Sequence, residues 1–177
     1  VLAAGASLVG RRQDPRCEGQ AAMALDFAVN GVETDEAYRF PLDAQGATSV
    51  LNWAPMIEAI ISDGKRGVPV GEISAKFHNA LAEAIVLVAR HVDCHRVVLS
   101  GGCFQNRYLT ERTVIRLREE GFQPYWHQRV PTNDGGIALG QIVAAQRELR
   151  SRGHQSVQTQ LQPRSDQRRL TSAATIF

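Results

Sequence analysis

RVVLSGGCFQNRYLTERTVIRLREEGFQPYWHQRVPTNDGGIALGQIVAA, residues Arg96 to Ala145, carries the pattern that decides the fold. It opens on Val97, Val98 and Leu99, an apolar run that stops at Ser100-Gly101-Gly102, as a buried strand does when it runs into a glycine turn. Leu109, Val114, Ile115 and Leu117 are the next apolar positions, separated by Arg and Glu up to Gly121, which predicts an amphipathic helix with a glycine stop. A second strand candidate, Phe122 to His127, leads into Pro131-Thr132-Asn133-Asp134-Gly135-Gly136, and Ile137, Leu139, Ile142 and Val143 then begin another helix. Strand, glycine turn, helix, strand, glycine turn, helix is the order of an α/β unit built on a parallel sheet.

Two glycine turns of this kind, each between the end of a strand and the start of a helix, can place two sets of backbone N–H groups on one edge of the sheet. Glycine has no Cβ, so a phosphate or ribose can approach the main chain, and the positive end of each helix favours an anion there. Asp134 brings a carboxylate to the same edge, as a helix cap or as a metal ligand. The plainer alternative is that Gly101 and Gly102 only make a tight turn and that Asn133-Asp134 only caps a helix.

SGGCFQNRYL followed by VPTNDGGIALGQ resembles the C-terminal part of the HypF carbamoyltransferase family, whose last domain is related to the tRNA threonylcarbamoyladenosine synthases. The likeness extends to Cys17-Glu18-Gly19-Gln20-Ala21-Ala22 and to Lys76-Phe77-His78-Asn79-Ala80-Leu81-Ala82, and covers most of the chain up to about Arg147. It implies an actin-like ATPase (ribonuclease H-like) lobe, the C-terminal half of a two-lobed domain. It further implies that carbamoyl phosphate and ATP are used through a carbamoyl-adenylate, held at Glu18, Gly101, Gly102, Asn106 and Gly135, with Glu18 on the ribose hydroxyls. Asp134 would be a ligand to a divalent metal, Fe, Zn or Mg, that polarises the reacting oxygen. The acceptor would be the C-terminal cysteine of a HypE-like maturation protein, on the route to the cyanide ligands of [NiFe]-hydrogenase.

The departures from the family pattern are as informative as the match. The family's metal takes two more ligands from an HxxxH segment, expected ahead of Val1 together with the acylphosphatase-like, zinc-finger and carbamoyl-adenylate-forming regions. The expectation is therefore a piece of a longer protein that does not turn over alone, either partnered by a separately encoded first half or a non-catalytic fragment. His91 and His95 do stand at i, i+4, but Asp93 and Cys94 between them read as the connection into the strand at Arg96. An O-carbamoyltransferase of the antibiotic or nodulation type shares the fold, and a non-catalytic interaction module is the alternative outside enzymes. A sugar or acetate kinase lobe shares the fold class but not these sequence blocks.

Composition sets the outer limits. The 177 residues, 44% of them hydrophobic, suffice for one domain with an ordinary core. A formal net charge of +2 gives no overall drive toward nucleic acid or an acidic membrane surface. Cys17, Cys94 and Cys103 are odd in number and lack CxxC spacing, so neither a disulfide framework nor a zinc site is indicated, and a reduced, cytoplasmic compartment is expected. No apolar run approaches the ~20 residues of a membrane span.

Elsewhere, Glu18 is expected to open a helix with Ala22, Leu25, Phe27 and Val29 on its apolar face, and Ala37 to Leu42 reads as an edge strand because of Pro41. Met56, Ile57, Ile60 and Ile61 form a helical stripe behind Pro55, with Asp63 to Gly67 as its solvated exit. The longest helix should run from about Gly71 to His91, with Ile73, Phe77, Leu81, Ile85, Val88 and Ala89 on one face and His78 as a hydrogen-bonded packing residue. Cys103 reads as a packing residue too, since nothing beside it would lower its pKa. Residues 149–177, rich in Arg, Gln and Ser, are expected to form a disordered basic tail beyond a domain ending at 148.

Overall fold

The computed structural model describes residues 19–45, 48–158 and 174–176. The elements in chain order are α1 (Gln20–Ala28), β1 (Leu42–Gln45), β2 (Thr48–Leu51), α2 (Ala54–Lys65), α3 (Val70–Val92), β3 (Arg96–Leu99), α4 (Arg107–Glu119), β4 (Gln123–Trp126), α5 (Ile137–Gln158) and β5 (Ala174–Ile176). Short 3-10 turns at Gly102–Gln105 and Asp134–Gly136 precede α4 and α5.

The expected α/β lobe is present. β3 lies between β4 and β5 and is parallel to both, with Val97 opposite Pro124 and Ala174, and Leu99 opposite Trp126 and Ile176. β1 and β2 form a separate antiparallel hairpin. Val97 and Leu99 alternate with Val98 and face the core, so the period-2 rule selects which residues of this short strand are buried.

α3 organises the packing. Its 23 residues, roughly 35 Å of helix at 1.5 Å per residue, pass through two apolar clusters. Ile73, Phe77 and Ala80 in its first half meet Ala21 and Leu25 of α1, Tyr38, and Met56 and Ile60 of α2. Ile85, Val86 and Ala89 in its second half meet Val97 and Leu99 of β3, Phe104, and Val114 and Leu117 of α4. Each fully buried large side chain contributes on the order of 1.5–3 kcal/mol relative to exposure. A left-handed Asp93 (φ 53°) ends the helix, with Arg90 and His91 in the last turn where the helix dipole favours cations.

Four expectations need correction. Residues 37–41 are not a strand: the Tyr38 N–H donates to the Lys76 carbonyl at 3.4 Å, so this segment runs against α3 and pairing begins only at Leu42. On α1 the buried positions are Ala21 and Leu25, followed by Val29 at the same four-residue spacing, while Phe27 is 69% exposed. Asp63 is not a solvated exit residue. It is buried, accepts from Tyr38 Oη at 2.8 Å and from Arg66, and lies 3.7 Å from Lys76 Nζ. Desolvation pushes its pKa up, but the Tyr38 and Arg66 bonds and the Lys76 charge outweigh this and hold it below the usual carboxylate range. The fourth is the boundary at 148, which falls inside α5. The helix continues to Gln158 because Arg, Glu, Leu and Gln propagate it well, a propensity that a count of apolar anchors does not register. Glu18 lies outside the described residues.

Candidate functional site

β3 and β4 end on the same edge, with Leu99 in register with Trp126, so the residues that follow them are neighbours. Ser100 Oγ lies 3.1 Å from His127 Nε2 across that edge. Gly101 then takes φ 105° and ψ 162°, a conformation open in practice to glycine alone, and its N–H donates to the Thr132 carbonyl at 2.9 Å. That bond stitches the first glycine turn to the loop before the second. A Cβ on Gly102 would stand 4.0 Å from the Asn133 Cβ, so the two loops abut.

The second turn is fixed by Asn133, whose Oδ1 accepts from the Gly135 N–H at 3.2 Å and whose carbonyl accepts from the Gly136 N–H at 2.9 Å. Gly136 is required by contact, since a Cβ there would sit 2.5 Å from the Pro131 carbonyl oxygen. Gly101, Gly102, Asp134 and Gly135 are thus gathered at one sheet edge, at the starts of α4 and α5, as their spacing predicted. Thr132 Oγ1, in the stitched loop, is buried without a hydrogen-bond partner.

Asn106 reaches the edge but turns its side chain inward. It is 7% exposed, Oδ1 caps α4 by accepting from the Leu109 N–H at 2.8 Å, and Nδ2 donates to His78 Nε2 at 2.8 Å. The cap fixes which way the amide faces, and the amide fixes the histidine. With Nε2 an acceptor, Nδ1 carries the proton and donates to the Ser74 carbonyl at 2.7 Å. His78 is fully buried and neutral, with desolvation holding its pKa below the ordinary value against the Ser74 bond. Ser74 Oγ in turn donates to the Leu25 carbonyl at 2.8 Å, so one chain of bonds runs from α1 through α3 to the start of α4.

Asn79, next to His78 on α3, has a comparable role. Its Nδ2 donates to the Thr34 and Glu36 carbonyls at 2.9 and 2.8 Å, and its Oδ1 accepts from Tyr108 Oη at 3.1 Å. Tyr108 and Arg107, in the first turn of α4, form one wall of an open cavity of about 690 Å³, faced by Asp26, Phe27, Asn30 and Glu33. The volume is in the range of small-ligand sites. The exposed Phe27 ring was assigned to the core from sequence; its departure from the Ala21, Leu25, Val29 spacing is the signal that marks it as a lining residue. Burial pushes the Cys103 thiol up, in keeping with its expected packing role.

Asp134 is exposed, and among the described residues no group of three His, Cys, Asp or Glu could hold a metal ion. Asp134 alone does not fit a resident metal. Among the described residues no helix is long and apolar enough to cross a membrane.

The family profile described as "Carbamoyltransferase, Kae1-like Domain, second subdomain" matches residues 1–141. The chain is 37% identical over 139 residues to the carbamoyltransferase HypF of Synechocystis sp., a stretch covering 78% of this chain and 18% of that protein. The crystal structure of full-length HypF in the phosphate- and nucleotide-bound form superposes with a TM-score of 0.71 and 38% identity, over 82% of this chain and 20% of that one. HypF of T. kodakarensis, 23% identical with a TM-score of 0.69 over 85% of this chain and 20% of that one, shares the fold. The chain spans about a fifth of the length of these relatives.

Proposed function

The chain belongs to the HypF carbamoyltransferase family, and from that premise we propose that it is the half of a carbamoyl-transfer domain that holds the adenylate. The observation that carries this reading is the Gly101 N–H to Thr132 carbonyl bond, which joins the two glycine turns into one sheet edge beside two helix starts, whose dipoles favour an anion. The phosphate of a carbamoyl-adenylate, made from carbamoyl phosphate and ATP, would lie on this edge. Its nucleoside would extend past the first turn of α4 toward the cavity, where Phe27 and Tyr108 offer aromatic surface and Asp26 and Glu33 offer acceptors. Asn106 and His78 act from behind, setting the start of α4 rather than touching the ligand. Glu18 would contribute to the ribose hydroxyls, and Gly135, whose N–H is held by Asn133 Oδ1, would shape the turn beside the phosphate rather than donate to it.

The acceptor in this reading is the C-terminal cysteine thiolate of a HypE-like maturation protein in the cytoplasm. Its sulfur attacks the carbamoyl carbon, the C–S bond forms as the bond to the adenylate oxygen breaks, and AMP leaves. A divalent metal would be shared between Asp134 and histidines of a first half supplied by another segment or chain. Neither nucleic acid nor membrane has a place in the scheme.

Titration with a labelled, non-hydrolysable adenylate analogue tests the site. Gly102→Val places a side chain on the approach to the main chain and should weaken binding at least tenfold, whereas Cys103→Ala should change it less than twofold. Equal losses in the two variants would sink the assignment.

A further inference from the structure

We propose that Tyr108 is the residue with which the cavity recognises an amino group on the ring of its ligand, its hydroxyl locked as an acceptor by Asn79, an inference that rests on the functional reading above. Consecutive residues of α3 set the first turn of α4: His78 holds Asn106, and Asn79 holds Tyr108. The Tyr108 ring also meets His78 edge-on, with centroids 5.7 Å apart and planes at 72°, so both the ring and its hydroxyl are fixed.

Counting donors decides the polarity of that hydroxyl. Asn79 is buried, and its Nδ2 protons go to two carbonyls, Thr34 at 2.9 Å and Glu36 at 2.8 Å. Turning the amide over would set Oδ1 against both carbonyl oxygens, so Oδ1 is what faces Tyr108. The 3.1 Å bond from Tyr108 Oη to Asn79 Oδ1 therefore uses the only proton of the phenol. Burial pushes the pKa of that phenol further up, so the proton stays on it. What Tyr108 has left to offer a ligand is a lone pair.

The rest of the wall agrees. Asp26 and Glu33 present carboxylates, and Glu111 engages the guanidinium of Arg107 through a 2.8 Å bond from Nε. The exposed Phe27 supplies a face on which a flat ring can stack. An acceptor-rich wall with a stacking face fits a heteroaromatic ring that carries N–H donors on its rim. A 6-aminopurine directs an N–H at the phenol oxygen, whereas a 6-oxopurine directs a second acceptor there and leaves the hydrogen bond unmade. Tyr108 is then a specificity-determining residue, and Asn79 a positioning residue that acts through it.

The test measures binding of AMP, IMP and purine riboside monophosphate, which lacks the 6-substituent, to the 177-residue chain by calorimetry. AMP should bind at least tenfold more tightly than IMP, with the unsubstituted purine between them. Tyr108→Phe keeps the ring and should bring the AMP-to-IMP ratio within threefold. Asn79→Ala frees the phenol proton to meet a 6-oxo group and should narrow the ratio in the same way. A merely structural role would weaken both nucleotides and leave their ratio alone, and that outcome overturns the proposal. So does a wild-type ratio within twofold, a result that depends on no variant folding. Gly102→Val separates this idea from the functional reading, since it should weaken AMP and IMP alike without changing their ratio. A tenfold ratio with no loss in Gly102→Val removes the assignment of the phosphate to the glycine edge and leaves Tyr108 in place. A loss in Gly102→Val with no ratio removes this inference alone. Absence of binding by all three nucleotides overturns both.

Discussion

At the scale of single residues, Asn106 and His78 show how a site motif can be structural on its inner side. The amide is committed to the α4 cap and to His78 Nε2, so a proton added to that nitrogen would meet a donor. Because the folded-state pKa of His78 lies below its ordinary 6.5, the unfolded chain binds the proton more readily than the folded one. Stability is therefore full above about pH 6.5 and declines as pH falls from there toward the folded-state value. Urea denaturation between pH 7 and pH 5 should show the midpoint falling. His78→Gln, whose amide oxygen can take over the Asn106 bond, should flatten that slope; an unchanged slope would mean another group titrates. The motif spacing placed Asn106 correctly but could not say which way its amide faced, since that depends on a histidine 28 residues away.

At the scale of elements, the strand, turn and helix pattern from Arg96 to Ala145 was legible because hydrophobic period and glycine position agree there. It was less legible where tertiary contacts override local pattern. Residues 37–41 look like a strand yet run against α3, and Asp63 looks solvated yet is enclosed by Tyr38, Arg66 and Lys76. The glycines divide in the same way. Gly136 has no room for a Cβ, whereas Gly140 in α5 has nothing within 4 Å. Gly136→Ala should displace the Pro131 loop, lower the melting temperature and weaken analogue binding. Gly140→Ala should instead stabilise by about 0.5–1 kcal/mol through the helix preference of alanine. Calorimetry of the two variants decides it, and shifts of equal sign would show that the loop yields freely.

For the whole molecule, the sequence conveyed the fold class through one stretch, while the arrangement of the core is a property of α3, which no single motif reveals. The helix is shared by a cluster that contains α1 and α2 and a cluster that contains β3 and α4. Its halves cannot unwind independently without exposing apolar surface in both, so the two clusters should be lost together. Phe77→Ala, in the first cluster, should cost about 3–5 kcal/mol, a large share of the 5–15 kcal/mol typical of a domain. Trp126 packs against the other cluster and reports on it by fluorescence, alongside the cation–π contact from Arg118, whose guanidinium carbon is 5.3 Å from the ring centroid. In urea, Trp126 fluorescence (followed in a Trp53→Phe background) and far-ultraviolet circular dichroism should change at one midpoint, and Phe77→Ala should move both by the same amount. A Phe77→Ala variant that shifts the circular dichroism transition but leaves the Trp126 transition in place would show two separately stable halves, and α3 would then be a connector rather than the shared core helix.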